Sequence, residues 1–301
     1  MFELIDMMRP LNCLMGGFAA FIGGLLVVGS NVGGFYLPLL YAFFAVLVIT
    51  GAGNVFNDYV DVEADKVNRP KRPIPAGKVS RRSSLAFSII LFLLGITAAG
   101  FINWIAFFIA VINSLVLIGY SFVLQHKLLL GNVSIGYLVG STFLFGGASI
   151  GNIPLLVIPL ILMMLAMLAT IAREIVKDLE DMEGDRKSFL KRITMKVTES
   201  IGERFGLTKG GVRLKYGERT MIVIAVACLM LAIVFSYLPY YYGLMGVGYA
   251  LIVGLADIVF LSSIYSLGRE RKKRRGYRRI SKRLKVGMFI ALVAFIAGVF
   301  I

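Results

Sequence analysis

Long apolar runs alternate with shorter polar stretches along the whole chain. Runs of about 18–22 apolar residues, enough to cross a hydrocarbon core as a helix, recur near residues 11–28, 36–56, 84–101, 104–124, 133–150, 153–173, 220–238, 241–266 and 285–301. The pattern predicts an all-α, multi-pass membrane protein with about nine transmembrane helices. The boundary between the third and fourth spans rests on Asn103 and Trp104, a polar and an amphipathic residue of the kind found where a chain leaves the bilayer.

Composition agrees with this pattern, and charge orients it. The chain is 58% hydrophobic, with a mean hydropathy of +0.83, which excludes a soluble globular domain. All but one of the 32 Lys and Arg residues fall in segments 1–10, 57–83, 125–132, 174–219 and 267–285. The exception, Arg173, ends the sixth span. Connections near 29–35, 102–103, 151–152 and 239–240 carry none. That asymmetry places the N-terminus and the five charged segments on the cytoplasmic side of the cell membrane. The net charge of +15 then reflects topology and contact with anionic headgroups, and no nucleic-acid partner is expected. No obligate protein partner is evident. Glu3 and Asp6 precede a first run long enough to stay as a helix, so no cleaved leader is expected. Cys13 and Cys228 lie inside spans and point to no disulfide.

The acids are distributed differently. Nine of the 17 crowd into two short stretches, each just after an apolar run. Asp58, Asp61, Glu63 and Asp65 follow the second span; Asp178, Glu180, Asp181, Glu183 and Asp185 follow the sixth. Carboxylates massed at a membrane border are costly unless a cation joins them. Mg²⁺ suits the task, because it takes oxygen ligands and is shared between carboxylates and substrate phosphates. Asn57, Asp61 and Asp65 fall on one helical face if the second span continues inward, and so do Asp178, Asp181 and Asp185, with Glu174 extending the stripe. One acidic run among Lys and Arg is ordinarily a solvated face; two runs in matched register after equivalent spans favour a site. Four spans separate the clusters, which suggests a parallel duplication. The chain then reads as a single domain, 1–301, with halves 1–132 and 133–284 and a last helix, 285–301.

Basic residues flank the acids. The stretch from Asn68 to Lys78 holds Pro70, Pro73, Pro75 and Gly77, which predicts a rigid, extended turn that presents Arg69 and Arg72 to a phosphate. Lys127 is a further phosphate candidate. His126 is the only histidine, which rules out a multi-histidine metal site and argues against a Ser-His-Asp triad. No P-loop or GxGxxG occurs. Segment 186–219 reads as a lid or as a tether on headgroups, and the basic run 269–275 as lipid-facing. Asp257, alone within the eighth span, reads by default as functional, but it has no basic partner in the other spans, and an interhelical hydrogen bond would also satisfy it.

Two longer patterns carry a family resemblance. The first is Asn57-Asp58-x-x-Asp61-x-x-x-Asp65, then Asn68-Arg69-Pro70 and Arg72-Pro73-Ile74-Pro75-x-Gly77. The second is Arg173-Glu174-Ile175-x-Lys177-Asp178-x-Glu180-Asp181-x-Glu183-Gly184-Asp185-Arg186. Together they resemble the two signatures of the UbiA superfamily of intramembrane prenyltransferases, and the resemblance covers the whole chain. Tyr120-Ser121 and Gly131-Asn132 are similar to weaker family positions. Gln125 stands where a lysine is usual, with Lys127 two residues on, and the stretch after Arg186 is longer than usual and lacks the customary Thr-Leu-Pro. Both motifs are most similar to the archaeal branch that makes digeranylgeranylglyceryl phosphate, by adding a second geranylgeranyl chain to geranylgeranylglyceryl phosphate.

The resemblance implies a UbiA-like fold around a central cavity that opens sideways to lipid. It also implies ionisation of a prenyl diphosphate with Mg²⁺, for which Mn²⁺ substitutes. Asp61, Asp65, Asp181 and Asp185 would be the catalytic carboxylates, and with Asn57, Asp58 and Asp178 they would hold the metal. Asn54, Asn57, Arg69, Arg72, Tyr120, Lys127 and Lys177 would bind the prenyl diphosphate and a lipophilic acceptor. Two alternatives stand beside this. Prenylation of an aromatic acceptor for quinone or haem synthesis would not need a basic acceptor pocket. A transporter of anionic substrates would show interrupted helices and midplane charges, not acids at the inner rim.

Overall fold

In the structure, a computed structural model, residues 2–29, 31–196, 217–269 and 274–300 are described; for residues 68, 126, 128, 182–196, 299 and 300 only the course of the backbone is given. A short helix, α1 (Phe2–Met8), turns at Arg9 into α2 (Pro10–Val28). Arg9 has φ 57 and ψ 70. The left-handed region is costly for a residue with a Cβ, and the proline that follows disfavours the right-handed one. Contacts made by the Arg9 side chain, described below, accompany this turn. Next come α3 (Tyr36–Val60), α4 (Val62–Asn68), α5 (Arg81–Gly100), α6 (Trp104–Phe122), α7 (Leu128–Ala148) and α8 (Val157–Lys196). The chain ends with α9 (Glu218–Ser236), the short α10 (Leu238–Tyr241), α11 (Val247–Arg269) and α12 (Arg274–Phe300). No strand occurs among the described residues.

Each of the nine predicted runs lies on a helix. Eight helices among the described residues are long and apolar enough to cross a membrane. The ninth run is the apolar part of α12, which is charged as far as Lys285. The break at Asn103 has a local cause. Its side chain accepts the Ala106 N–H at 2.9 Å and donates to the Ala148 carbonyl at 2.8 Å, so it caps α6 and ties that end to α7.

Helices α3 and α8 occupy equivalent places: α3 packs between α2 and α5, and α8 between α7 and α9. Helices α2 and α7 also cross closely. A Cβ at Gly146 would overlap the Ala20 carbonyl, and one at Gly23 that of Phe143; small residues permit such backbone contact where lipid gives no other drive for association. Leu11, Phe18, Leu93, Phe108, Leu251 and Ile258 are exposed on the outside of the bundle, an apolar surface suited to lipid. Inside is a cavity of about 750 Å³ whose walls include Ile49, Leu117, Phe143, Leu165 and Phe295. Met15 of α2 and Phe289 of α12 line it and are themselves exposed, so it opens sideways between the first and last spans.

The turn after α4 differs from the expectation. It is folded on itself rather than extended. Ala76 N–H donates to the Arg72 carbonyl, Gly77 N–H to that of Ile74, and both Lys78 and Val79 N–H to that of Pro73. Gly77, at φ 73, supplies the left-handed step that lets the chain coil back. The prolines stiffen this turn without extending it, because their missing N–H groups fall where no donor is used.

Candidate active site

The first acidic motif forms where α3 runs into α4. Asp61 N–H donates to the Asn57 carbonyl at 2.9 Å, and Asp65 N–H to that of Asp61 at 2.8 Å. Helical bonding therefore continues through the junction, and Asn57, Asp61 and Asp65 keep their shared face. The side chains divide the acids into two kinds. Asp58 Oδ1 accepts from Arg9 Nη2 at 2.8 Å and from Arg72 Nη1 at 2.9 Å, and Asp65 Oδ2 accepts from the same Arg72 nitrogen at 2.5 Å. Asp58 is 5% exposed and Asp65 6%, and carboxylates so buried need paired charge to stay ionised. Asp61, by contrast, receives a neutral donor, Gln125 Nε2, at 2.9 Å.

The N-terminal helix belongs to this arrangement. Arg9 Nη1 donates to Asn54 Oδ1 at 3.1 Å, and Asn54 Nδ2 donates to the Met8 carbonyl at 2.8 Å. Met7 packs with Val55 of α3 and Val79 of the following turn. Lys78 Nζ donates to Glu3 at 2.9 Å, and that carboxylate holds its ammonium above the usual lysine range.

Gln125 sits in the short turn Leu124–His126 between α6 and α7. Its Nε2 also donates to the Ser121 carbonyl at 2.7 Å, and its Oε1 accepts from Asn57 Nδ2 at 3.0 Å. In α7, Asn132 Nδ2 donates to Asp178 Oδ2 of the second motif at 2.8 Å. Glu174, buried on α8, is paired with Arg173 and, at 3.4 Å, with Lys177. Tyr120 is half-buried near the end of α6, with Glu174, Asp178 and Asp61 within electrostatic range. Gln125, bonded to Asp61 of the first motif, and Asn132, bonded to Asp178 of the second, stand seven residues apart at the α6–α7 corner.

The predicted residues fall into distinct groups. Asn54, Asp58, Asp65 and Arg72 form one set with Arg9, Asn57 and Asp61 form a second through Gln125, and Asp178 is bonded by Asn132. Arg72, expected to face a phosphate, instead holds Asp58 and Asp65. Lys177 is exposed beside Glu174. Arg69 and Lys127 are exposed at the C-terminal end of α4 and the N-terminal end of α7. Asp181 is exposed on α8, three residues beyond Asp178. The side chains of Asp185 and His126, the bulk of the 186–219 segment and residues 270–273 lie outside the described residues. Missed among the site residues were Arg9, whose charge read as topological, and Asn132, whose signal was the Gly131-Asn132 pair, similar to a family position, just before the fifth span. Asp257 Oδ2 accepts from Ser236 Oγ at 3.0 Å, the interhelical alternative named for it, while its Oδ1 is buried with no hydrogen-bond partner among the described residues.

The donor set suits a hard cation. Asn57, Asp61, Asp178 and Asp181 offer oxygen alone. Among the described residues no three acidic, His or Cys side chains come close enough to hold a metal by themselves. Mg²⁺ is ordinarily held in that way, by one or two carboxylates with the rest of its shell from phosphate and water. The apolar cavity reaches Asn54 and Arg173, less than a turn from Asn57 and directly beside Glu174.

Comparison with known proteins follows the same lines. The model of the UbiA prenyltransferase family matches residues 17–293. A digeranylgeranylglyceryl phosphate synthase of Methanosarcina mazei is 42% identical, over 98% of this chain and 97% of its own. One of Methanosarcina barkeri is 43% identical, over the same shares. A solved structure described as bearing on digeranylgeranylglyceryl phosphate synthase in membranes is 35% identical, with a TM-score of 0.80 over 99% of this chain and 97% of that one. A UbiA homolog from Archaeoglobus fulgidus, bound to GPP and Mg²⁺, is 13% identical with a TM-score of 0.64, over 97% of this chain and 99% of its own, and shares the fold.

Proposed function

The chain belongs to the UbiA prenyltransferase family, and on that footing we propose that it transfers a geranylgeranyl group from its diphosphate to geranylgeranylglyceryl phosphate, a step of archaeal ether-lipid synthesis. The observation that carries this reading is that Asp61 and Asp178, one from each motif, are both bonded from the α6–α7 corner, with an apolar cavity reaching Asn54 and Arg173 beside the motifs. Asp61, Asp178 and Asp181, with Asn57, would hold Mg²⁺ or Mn²⁺, and Asp185 and Asp65 complete the two motifs. The metal, when bound, offsets the charge of the departing diphosphate.

The protein's own residues do the remainder. Arg9 and Arg72 pair with the buried Asp58 and Asp65 and fix the end of α3. Lys127, Arg69 and Lys177 stand exposed where they meet phosphate oxygens. The apolar walls exclude water from the allylic cation, which would otherwise be hydrolysed. The opening between α2 and α12 admits lipid chains from the side. The acceptor hydroxyl oxygen then bonds to C1 of the prenyl group, whose bond to the diphosphate oxygen has broken, and its proton passes to the released diphosphate. The charge pattern puts both motifs and the N-terminus on the cytoplasmic face. The equivalent packing of α3 and α8 supports a duplication of four spans, with α12 added.

The test is an assay of the purified protein with geranylgeranyl diphosphate and a panel of acceptors. Geranylgeranylglyceryl phosphate should be prenylated in preference to 4-hydroxybenzoate. The reverse preference would move the protein to the aromatic branch, and no transfer to any acceptor would sink the reading.

A further inference from the structure

The contacts around the two motifs separate carboxylates by the kind of donor that holds them. Asp58, Asp65 and Glu174 are each bonded by a guanidinium. Their charge is already balanced, and a metal ion would have to displace an arginine to use it. Asp61 and Asp178 are held by side-chain amides instead: Gln125 Nε2 at 2.9 Å and Asn132 Nδ2 at 2.8 Å. An amide orients a carboxylate oxygen without neutralising it, so the charge remains available to a cation. Lys177 is within electrostatic range of Asp178, but it bonds Glu174.

Both amides come from one short connection. Gln125 follows α6, and Asn132 lies in the second turn of α7. The connection closes tightly: a Cβ at Gly131 would stand 2.9 Å from the Leu124 carbonyl, so only a glycine lets the start of α7 approach the end of α6. Gln125 is braced a second time by the Ser121 carbonyl and engages Asn57 through its Oε1. Asn132 is 5% exposed, so its amide has little freedom to turn away. Neither contact is local in sequence, since 64 residues separate Gln125 from Asp61 and 46 separate Asn132 from Asp178.

We infer that Gln125 and Asn132 are a matched pair of positioning residues, which aim Asp61 and Asp178 at a shared divalent cation from the α6–α7 connection. This rests on the prenyl-transfer reading above and deepens it. The connection is then a third wall of the site, which sets the distance between the motifs through neutral groups. Hydrogen-bonding partners behind metal ligands contribute about 10–100-fold to metal affinity, so loss of either amide should be visible in metal binding itself.

The experiment measures Mn²⁺ binding by electron paramagnetic resonance on the full-length protein in detergent, with inorganic pyrophosphate as the probe anion. Gln125→Met and Asn132→Leu keep side-chain volume and remove the hydrogen bond. Each should weaken Mn²⁺ binding about 10-fold or more, while the thermal midpoint in EDTA stays within that of the wild type. Lys66→Met, on an exposed pair, should bind as the wild type does. Gln125→Asn with restored binding relative to Gln125→Met would support the amide as the acting group. Wild-type affinity in both Gln125→Met and Asn132→Leu, with Asp61→Ala losing Mn²⁺, would overturn the inference and leave the prenyl-transfer reading standing. A wild-type protein that binds no Mn²⁺ with pyrophosphate would overturn both. Should one amide variant fail to fold, the other decides the question alone.

Discussion

The first acidic motif borrows its cations from elsewhere in the chain, whereas the second takes them from its own helix. Arg9 lies 49 residues from Asp58, and Arg72 lies 14 away in the turn that follows α4. Arg173 and Lys177, by contrast, are one and three residues from Glu174 on α8. The charge balance of the first motif therefore depends on α1 docking against α3 and on the coiled turn over 69–79. The balance of the second exists wherever α8 forms. Burial follows the same division: Arg72 is largely enclosed with Asp58 and Asp65, while the Lys177 side chain is over half exposed. Among the described residues, the charge pairing of the first motif is thus built by tertiary folding, and that of Glu174 by helical spacing.

The largest expected effect tests what the motifs have in common. Chelation with EDTA should abolish prenyl transfer, and added Mg²⁺ should restore it; turnover at the full rate in metal-free buffer would remove the cation from the mechanism. Next, Asp61→Ala and Asp181→Ala should each slow transfer by at least about 10²-fold, the scale of losing a principal electrostatic group. A near-normal rate in one variant alone would show that the motifs do not contribute together.

Smaller effects distinguish the motifs. Arg72→Met leaves two buried carboxylates short of a partner, and breaking a buried pair costs about 3 kcal/mol or more. It should lower the midpoint of thermal unfolding in detergent clearly. Lys177→Met removes one member of an exposed pair, worth about 0–1 kcal/mol, and should leave that midpoint nearly unchanged. Equal losses in the two variants would erase the contrast between a motif assembled by folding and one supplied by its helix.

Much of the architecture was legible in the chain. Nine apolar runs matched helices because crossing lipid imposes a length and a composition that no packing detail alters. Asn103 marked a helix start because an N-cap is a local property of a few residues. The acidic stripes at Asn57–Asp65 and Glu174–Asp181 kept their register because helical spacing is also local. The family pattern added the chemistry, since motifs of that length tie residue types to one reaction.

Other features were settled only by the tertiary structure. The chain contains Arg9, Gln125 and Asn132 in plain view, yet these partners are 45 to 64 residues away in sequence. Arg72 looked like a phosphate ligand because an arginine's charge says nothing about which anion it meets. The turn over 69–79 looked extended because proline content limits φ without deciding where the chain's other donors go. Helix length and helical face follow from sequence because lipid and backbone geometry act on each segment separately. Which carboxylates are neutralised, and which are left available, depends on distant side chains brought together by packing, and no single segment encodes that.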